Sequence, residues 1–133
     1  MATRANIGVV TAEGYIRYIY SHWDGYLDGV GATLLENYNT SSQVEDLIEM
    51  GDVSSLSDTI AASEFYHRDR GEVLNAVCPL ETDSLNDLRE EFAYIWTGDE
   101  WVARADGVWY RLAYIIQAEI DDVERVVFGQ KVA

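Results

Sequence analysis

The sequence predicts an α+β fold, a mainly antiparallel sheet packed with about four helices. Three observations carry this reading. Runs of β-branched and aromatic residues come in neighbouring pairs joined by short glycine-bearing turns, which marks hairpins. Between those pairs, apolar residues recur at three- and four-residue steps, which marks helices. The order of elements is two strands, helices, two strands, a helix, three strands and a helix. Hairpin links therefore outnumber long crossovers, and an antiparallel sheet is favoured over a parallel doubly wound one.

Taken in order, Arg4–Thr11 and Tyr15–His22 read as an N-terminal hairpin around Ala12-Glu13-Gly14. The second strand carries large groups on both sides: Ile16, Tyr18 and Tyr20 alternate with Tyr15, Arg17 and Ile19. A strand of that kind belongs inside a sheet with material on each face. Leu27, Val30, Leu34 and Tyr38 then repeat at helical steps, in a stretch loosened by Gly29 and Gly31. Thr40 and Gln43 have capping-box spacing ahead of Val44, Leu47 and Ile48, and Gly51 supplies the stop. The stretch 52–62 is turn-rich.

Residues 63–70 ("SEFYHRDR") and 73–78 ("VLNAVC") read as two further strands about Gly71-Glu72. Asp83 opens a third helix through Leu85, Leu88 and Phe92. "FAYIW", "EWVARA" and "VWYRLAYII" form a C-terminal three-strand meander. Its second turn, Asp106-Gly107, is the strongest hairpin signal in the chain. Ile120, Val123 and Val127 close the sequence as an amphipathic helix.

The 133 residues are expected to form a single domain, 1–133, long enough to bury a core without cross-links. The lone Cys78 has no partner for an internal disulfide, so a reducing cytoplasm is expected. No apolar run is long enough to span a bilayer, and the start "MATRANIGVV" lacks the basic-then-apolar pattern of a signal peptide. No membrane association is expected. The formal charge of -15 repels phosphate backbones and disfavours direct nucleic-acid binding. The acids are scattered rather than set in ranks, which also weakens a nucleic-acid-mimic reading.

The chain's two histidines raise the question of chemistry. Each precedes an aspartate by two positions, His22-x-Asp24 and His67-x-Asp69. Residues two apart on a strand share a face, so neighbouring strands would gather two imidazoles and two carboxylates. That set suits a divalent metal, or a base with its orienting carboxylate. The opposing reading is scaffold, with His22 and Trp23 plugging the end of the hairpin and Asp24-Gly25 turning into the helix. Arg68 and Arg70 alternate with the second motif. Joined by Arg17 or Arg111 and flanked by Tyr66, they would clamp an anionic small molecule such as a nucleotide signal. The competing account pairs these arginines with nearby acids. Cys78 lies in an apolar setting, no serine sits in a nucleophile elbow, and no glycine-rich phosphate loop occurs. No cofactor is expected. Trp96, Trp101 and Trp109 would make an adhesive surface if one side of the meander were bare, and self-association is expected from it.

Thr3-Arg4, "YSHWDGYLDGVGATLLENYNT", "LIEMGDVSSL", "FYHRDRGE" and "EEFAYIW" together resemble a family of small acidic proteins encoded by bacteriophages and prophages. "HWDGY", "GDVSSL" and "RDRGE" are its marks, and the resemblance covers most of the chain. A long loop associated with such proteins, between "SSL" and "FYHRDRGE", is missing here. The resemblance implies no catalytic residues. It implies a setting, the cytoplasm of an infected bacterium, and an accessory role. The leading expectation is a non-enzymatic protein that binds a host or viral protein, as in countering a host defence. The alternatives are a nucleotide-signal sponge built on the arginines and a metal-dependent enzyme built on the two His-x-Asp motifs.

Overall fold

The computed structural model describes residues 2–116. Ala5–Val10 (β1) and Ile16–Ser21 (β2) form the N-terminal hairpin, with Ile7 opposite Ile19. A π-helical turn at Leu27–Gly31 runs into Ala32–Asn37 (α1), and Ser41–Glu49 (α2) follows. Next come Val53–Ser55 (β3), Glu64–Phe65 (β4), Leu74–Val77 (α3) and Leu80–Thr82 (β5). A 3-10 turn at Leu85–Asp87 precedes the meander of Phe92–Trp96 (β6), Trp101–Ala105 (β7) and Val108–Arg111 (β8). Residues 112–116 are helical. The expected closing helix lies outside the described residues. Among the described residues no helix is long and apolar enough to cross a membrane.

The strands make one sheet in the order β4-β3-β2-β1-β6-β7-β8, and β5 also pairs with β2. The α+β class and the largely antiparallel pairing are as the sequence predicts. Two parallel contacts qualify it: β1 with β6 along five residues, and β2 with β3 at Ser21–Val53. The outer edge of β2 is divided, with β5 taking Ile16–Tyr18 and β3 taking Ser21.

The described residues cover the two faces of the sheet unequally. Ala5, Ile7, Val9 and Ile19 point to the helices, where Leu34, Val44, Leu47 and Ile48 meet them in the main core. Each of these valine, leucine and isoleucine side chains contributes about 1.5–3 kcal/mol by leaving water. α2 forms as its sequence dictates: Thr40 Oγ1 accepts from Gln43 N at 3.1 Å, and Gln43 Oε1 accepts from Asn39 N at 2.9 Å. The other face carries a smaller cluster of Ile16, Leu88, Ala93 and Ile95, with Tyr18, Val102 and Trp109 partly buried around it.

Four expected elements differ. The third meander strand, "VWYRLAYII", stops at Arg111, and its second half is the helical stretch 112–116. The stretch 63–70 keeps only two strand residues, because Asp69 turns back and accepts from Phe65 N at 2.8 Å, curling the chain. "VLNAVC" is helical at Leu74–Val77 rather than extended, with only Val77 of that turn buried, and Pro79 follows soon after it. The expected third helix shrinks to the 3-10 turn. Ser84 rather than Asp83 caps it, and the chain then crosses the sheet with Leu88 buried and Glu90 N donating to Asn6 Oδ1 at 3.1 Å.

Candidate functional site

The two histidine motifs lie on either side of β3. His22 N donates to Val53 O, while His67 follows the β4 pairing of Phe65 with Val53. Each ring is committed locally. His22 Nδ1 sits 2.6 Å from Tyr20 Oη and its ring meets Trp23 edge-on at 4.7 Å. His67 Nδ1 lies 2.8 Å from Glu72 O. A carbonyl only accepts, so Nδ1 carries the proton there.

The aspartates are not strand-aligned. Asp24 has φ +58, and its carbonyl accepts from Val30 N at 2.7 Å, turning the chain into the π-helical turn. The scaffold reading of Asp24-Gly25 therefore holds. Trp23, at 45% exposure, does not plug the hairpin. Asp69 is engaged with Arg68. Among the described residues no group of three or more His, Cys, Asp or Glu side chains is placed to hold a metal ion.

The arginines do not converge. Arg68 Nε and Nη2 donate to Asp69, each at 2.9 Å, and its guanidinium also reaches Ser63 O at 2.7 Å and Ile60 O at 3.2 Å. This pairing holds the Asp69 carboxyl below its ordinary range, helped by the Phe65 N–H. Arg70 donates to Glu64 Oε1 at 2.7 Å and to Ser54 Oγ at 3.1 Å while lying over the Tyr66 ring. Arg17 is paired with Glu49 at 2.5 Å on the helical side. Arg111 is paired with Glu100 at 2.6 Å on β8. β4 and β8 are the two ends of the sheet, six strand spacings apart, on the order of 30 Å. The lattice of ion pairs, rather than an anion clamp, is what these residues build.

The tryptophans also divide. Trp96 and Trp101 are buried on the helical side, edge-to-face at 5.5 Å, and their indole N–H groups donate to Ser41 Oγ and Tyr38 O. Trp109 alone of the three stands on the thinly covered face, under the Arg104 guanidinium. There Leu85, Ile95, Val102 and Trp109 line an open groove of about 380 Å³ whose walls are almost wholly apolar, with Tyr110 and Arg111 at β8.

Sequence reasoning placed Leu85 on a helix rather than in a groove, and did not single out Ile95 or Val102. Alternation along the meander places Val102 and Trp109 on one side, but the bareness of that side depends on how far the 85–91 segment reaches. It also missed Asp52. This residue fills the gap that β5 and β3 leave on β2, where Asp52 Oδ1 accepts from Tyr20 N at 2.9 Å. Burial pushes its carboxyl up to about 6. The Tyr20 hydrogen bond opposes that shift and the Glu72 charge adds to it.

No family model matches the chain, and neither does any curated protein or solved structure.

Proposed function

We propose that this is a phage-encoded accessory protein that acts by binding a host or viral protein in the infected bacterium. The groove at Leu85, Ile95, Val102 and Trp109 is where it binds. The observation that carries the reading is the apolar lining of that groove on the thinly covered face of an otherwise acidic protein. A small polar metabolite needs convergent donors and acceptors to fix its orientation, and these walls supply almost none. A bulky apolar side chain of a partner protein fits them. The surrounding charge of -15 selects among partners, since it steers basic surfaces toward the groove from a distance. The occupant is therefore an apolar anchor on a basic protein surface. The resemblance through "HWDGY" and "RDRGE" supplies the viral setting.

The test is capture from lysate of an infected host with three baits: the wild-type protein, Trp109→Ala and Val102→Glu. One partner held by the wild-type bait, released by rising salt and lost from both variants is expected. Truncating a central aromatic anchor costs about 2 kcal/mol or more, roughly thirtyfold in affinity. Capture that is identical with all three baits would place binding elsewhere.

A further inference from the structure

We propose that β8 is a self-association edge, to which a second copy of the chain adds its own β8 in antiparallel alignment. This does not depend on the groove as a partner site, because main-chain groups at the sheet's edge carry it.

β8 ends the sheet and, among the described residues, pairs only with β7. Asp106 and Gly107 both have positive φ, as a two-residue hairpin turn requires. Such a turn makes Ala105 and Val108 the hydrogen-bonded pair, and pairing then alternates. Val108 and Tyr110 accordingly direct their main-chain N–H and C=O to β7. Trp109 directs both of its groups outward, to an edge that no described strand covers, and Arg111 directs its N–H there, while the Arg111 C=O opens the helix at 112–116.

The "VWYR" strand carries one charged residue, Arg111, whose guanidinium Glu100 holds. It contains no proline or lysine, and the sheet's register shift lies in β3. Proteins commonly blunt exposed edges with such devices. The other end of the sheet, β4, is only two residues long. Exposed large apolar side chains also gather here, with Val108 at 50% and Tyr110 at 40%.

The edge is complementary to itself. Residues directly opposite across an antiparallel pair share a face. With Tyr110 on the twofold axis, Trp109 of each copy stands opposite Arg111 of the other. Trp109 C=O of each copy then accepts from Arg111 N–H of the other, and Trp109 N–H reaches the second lone pair of the opposite Arg111 C=O. Each indole gains a second guanidinium, in the contact that Arg104 already makes with Trp109 at 5.7 Å to the ring centre. On the opposite face Tyr110 meets its own copy. The arrangement is isologous and closes on itself, so it yields a dimer and not a filament. Each chain carries a charge of -15, so long-range repulsion opposes the pair and salt relieves it.

Sedimentation of the full chain and of Tyr110→Lys tests this. A dimer that tightens as salt rises is expected for the wild type. Tyr110→Lys sets two ammonium groups face to face on the axis, and at least a tenfold loss of association is expected. Amide exchange of wild-type Trp109 and Arg111 supplies the readout that needs no variant: protection at these two positions should increase with protein concentration. A wild type that stays monomeric throughout, a dimer that Tyr110→Lys leaves intact, or exchange at Trp109 and Arg111 that ignores concentration would each overturn the proposal.

Discussion

Asp52 shows how a single side chain completes a sheet that its strands leave unfinished. Its carboxylate takes the Tyr20 N–H that would otherwise face the gap, its own N–H donates to Val77 O, and its C=O accepts from Tyr66 N. Three segments meet on it. Burial lifts its folded-state pKa to about 6, above the ordinary carboxylate value of 3.8. Asp52 therefore holds its proton longer in the folded protein than in the unfolded chain between about pH 4 and 6, and its contribution to stability falls as pH rises through that window. Asp52→Asn retains an oxygen for the Tyr20 N–H and removes the charge. Thermal melts across pH 4–8 should show that the stability of the wild type falls relative to that of the variant as pH rises from about 4 to 6. At pH 7 the variant should be more stable by on the order of 1 kcal/mol, a figure reduced for the solvent that still reaches the carboxylate. An unchanged pH profile in Asp52→Asn would remove Asp52 as its source. No spacing in the sequence flags this residue, because its role arises from two short strands meeting one edge.

At the level of elements, legibility followed locality. The α2 cap was readable because Thr40 and Gln43 lie three residues apart and act on each other's neighbourhood. The Asp106-Gly107 turn was readable because both positive φ values belong to adjacent residues. The 63–70 segment was misassigned because a side-chain bond over four residues, Asp69 accepting from Phe65 N, overrides its aromatic composition. The "HWDGY" loop is the sharpest local case. A Cβ at Gly29 would sit 2.2 Å from the Asp24 carbonyl oxygen, a backbone atom that cannot step aside. Gly29→Ala is thus expected to cost about 3 kcal/mol or more through overpacking, against about 1 kcal/mol for Thr40→Ala through a lost cap. Urea titration of the two variants ranks them, and equal midpoints would contradict the backbone clash.

For the whole molecule, the sequence carried the hairpin and the meander but not their junction. β1 pairs with β6 in parallel across more than eighty residues, with Ile7 opposite Tyr94. No local pattern encodes a contact of that range. The junction places β1 and β6 mid-sheet, under α2 on one side and, among the described residues, only the 80–91 segment on the other. The two coverings differ in strength. Val44, Leu47 and Ile48 are fully buried on the helical side, whereas the 80–91 segment buries Leu88 but leaves Leu80 and Leu85 exposed at 57% and 44%. A layer with so few apolar anchors should open without the rest of the fold. Native-state hydrogen exchange in low denaturant would then separate two classes. Amides of β1, β2 facing β1, and β6 should exchange only through global unfolding, with a steep denaturant dependence. Amides of Glu81, Asp87, Leu88 and Glu90 should exchange through a shallow local opening. Leu88→Ala should accelerate that second class, having removed its one buried anchor, while the first class shifts only by the global loss of stability. A single common slope for both classes would mean that the thin covering is bound as tightly as the helices. Because Leu85 forms one wall of the groove, the same opening would also widen the proposed binding surface, so the exchange rate of this segment sets how often a partner meets it unobstructed.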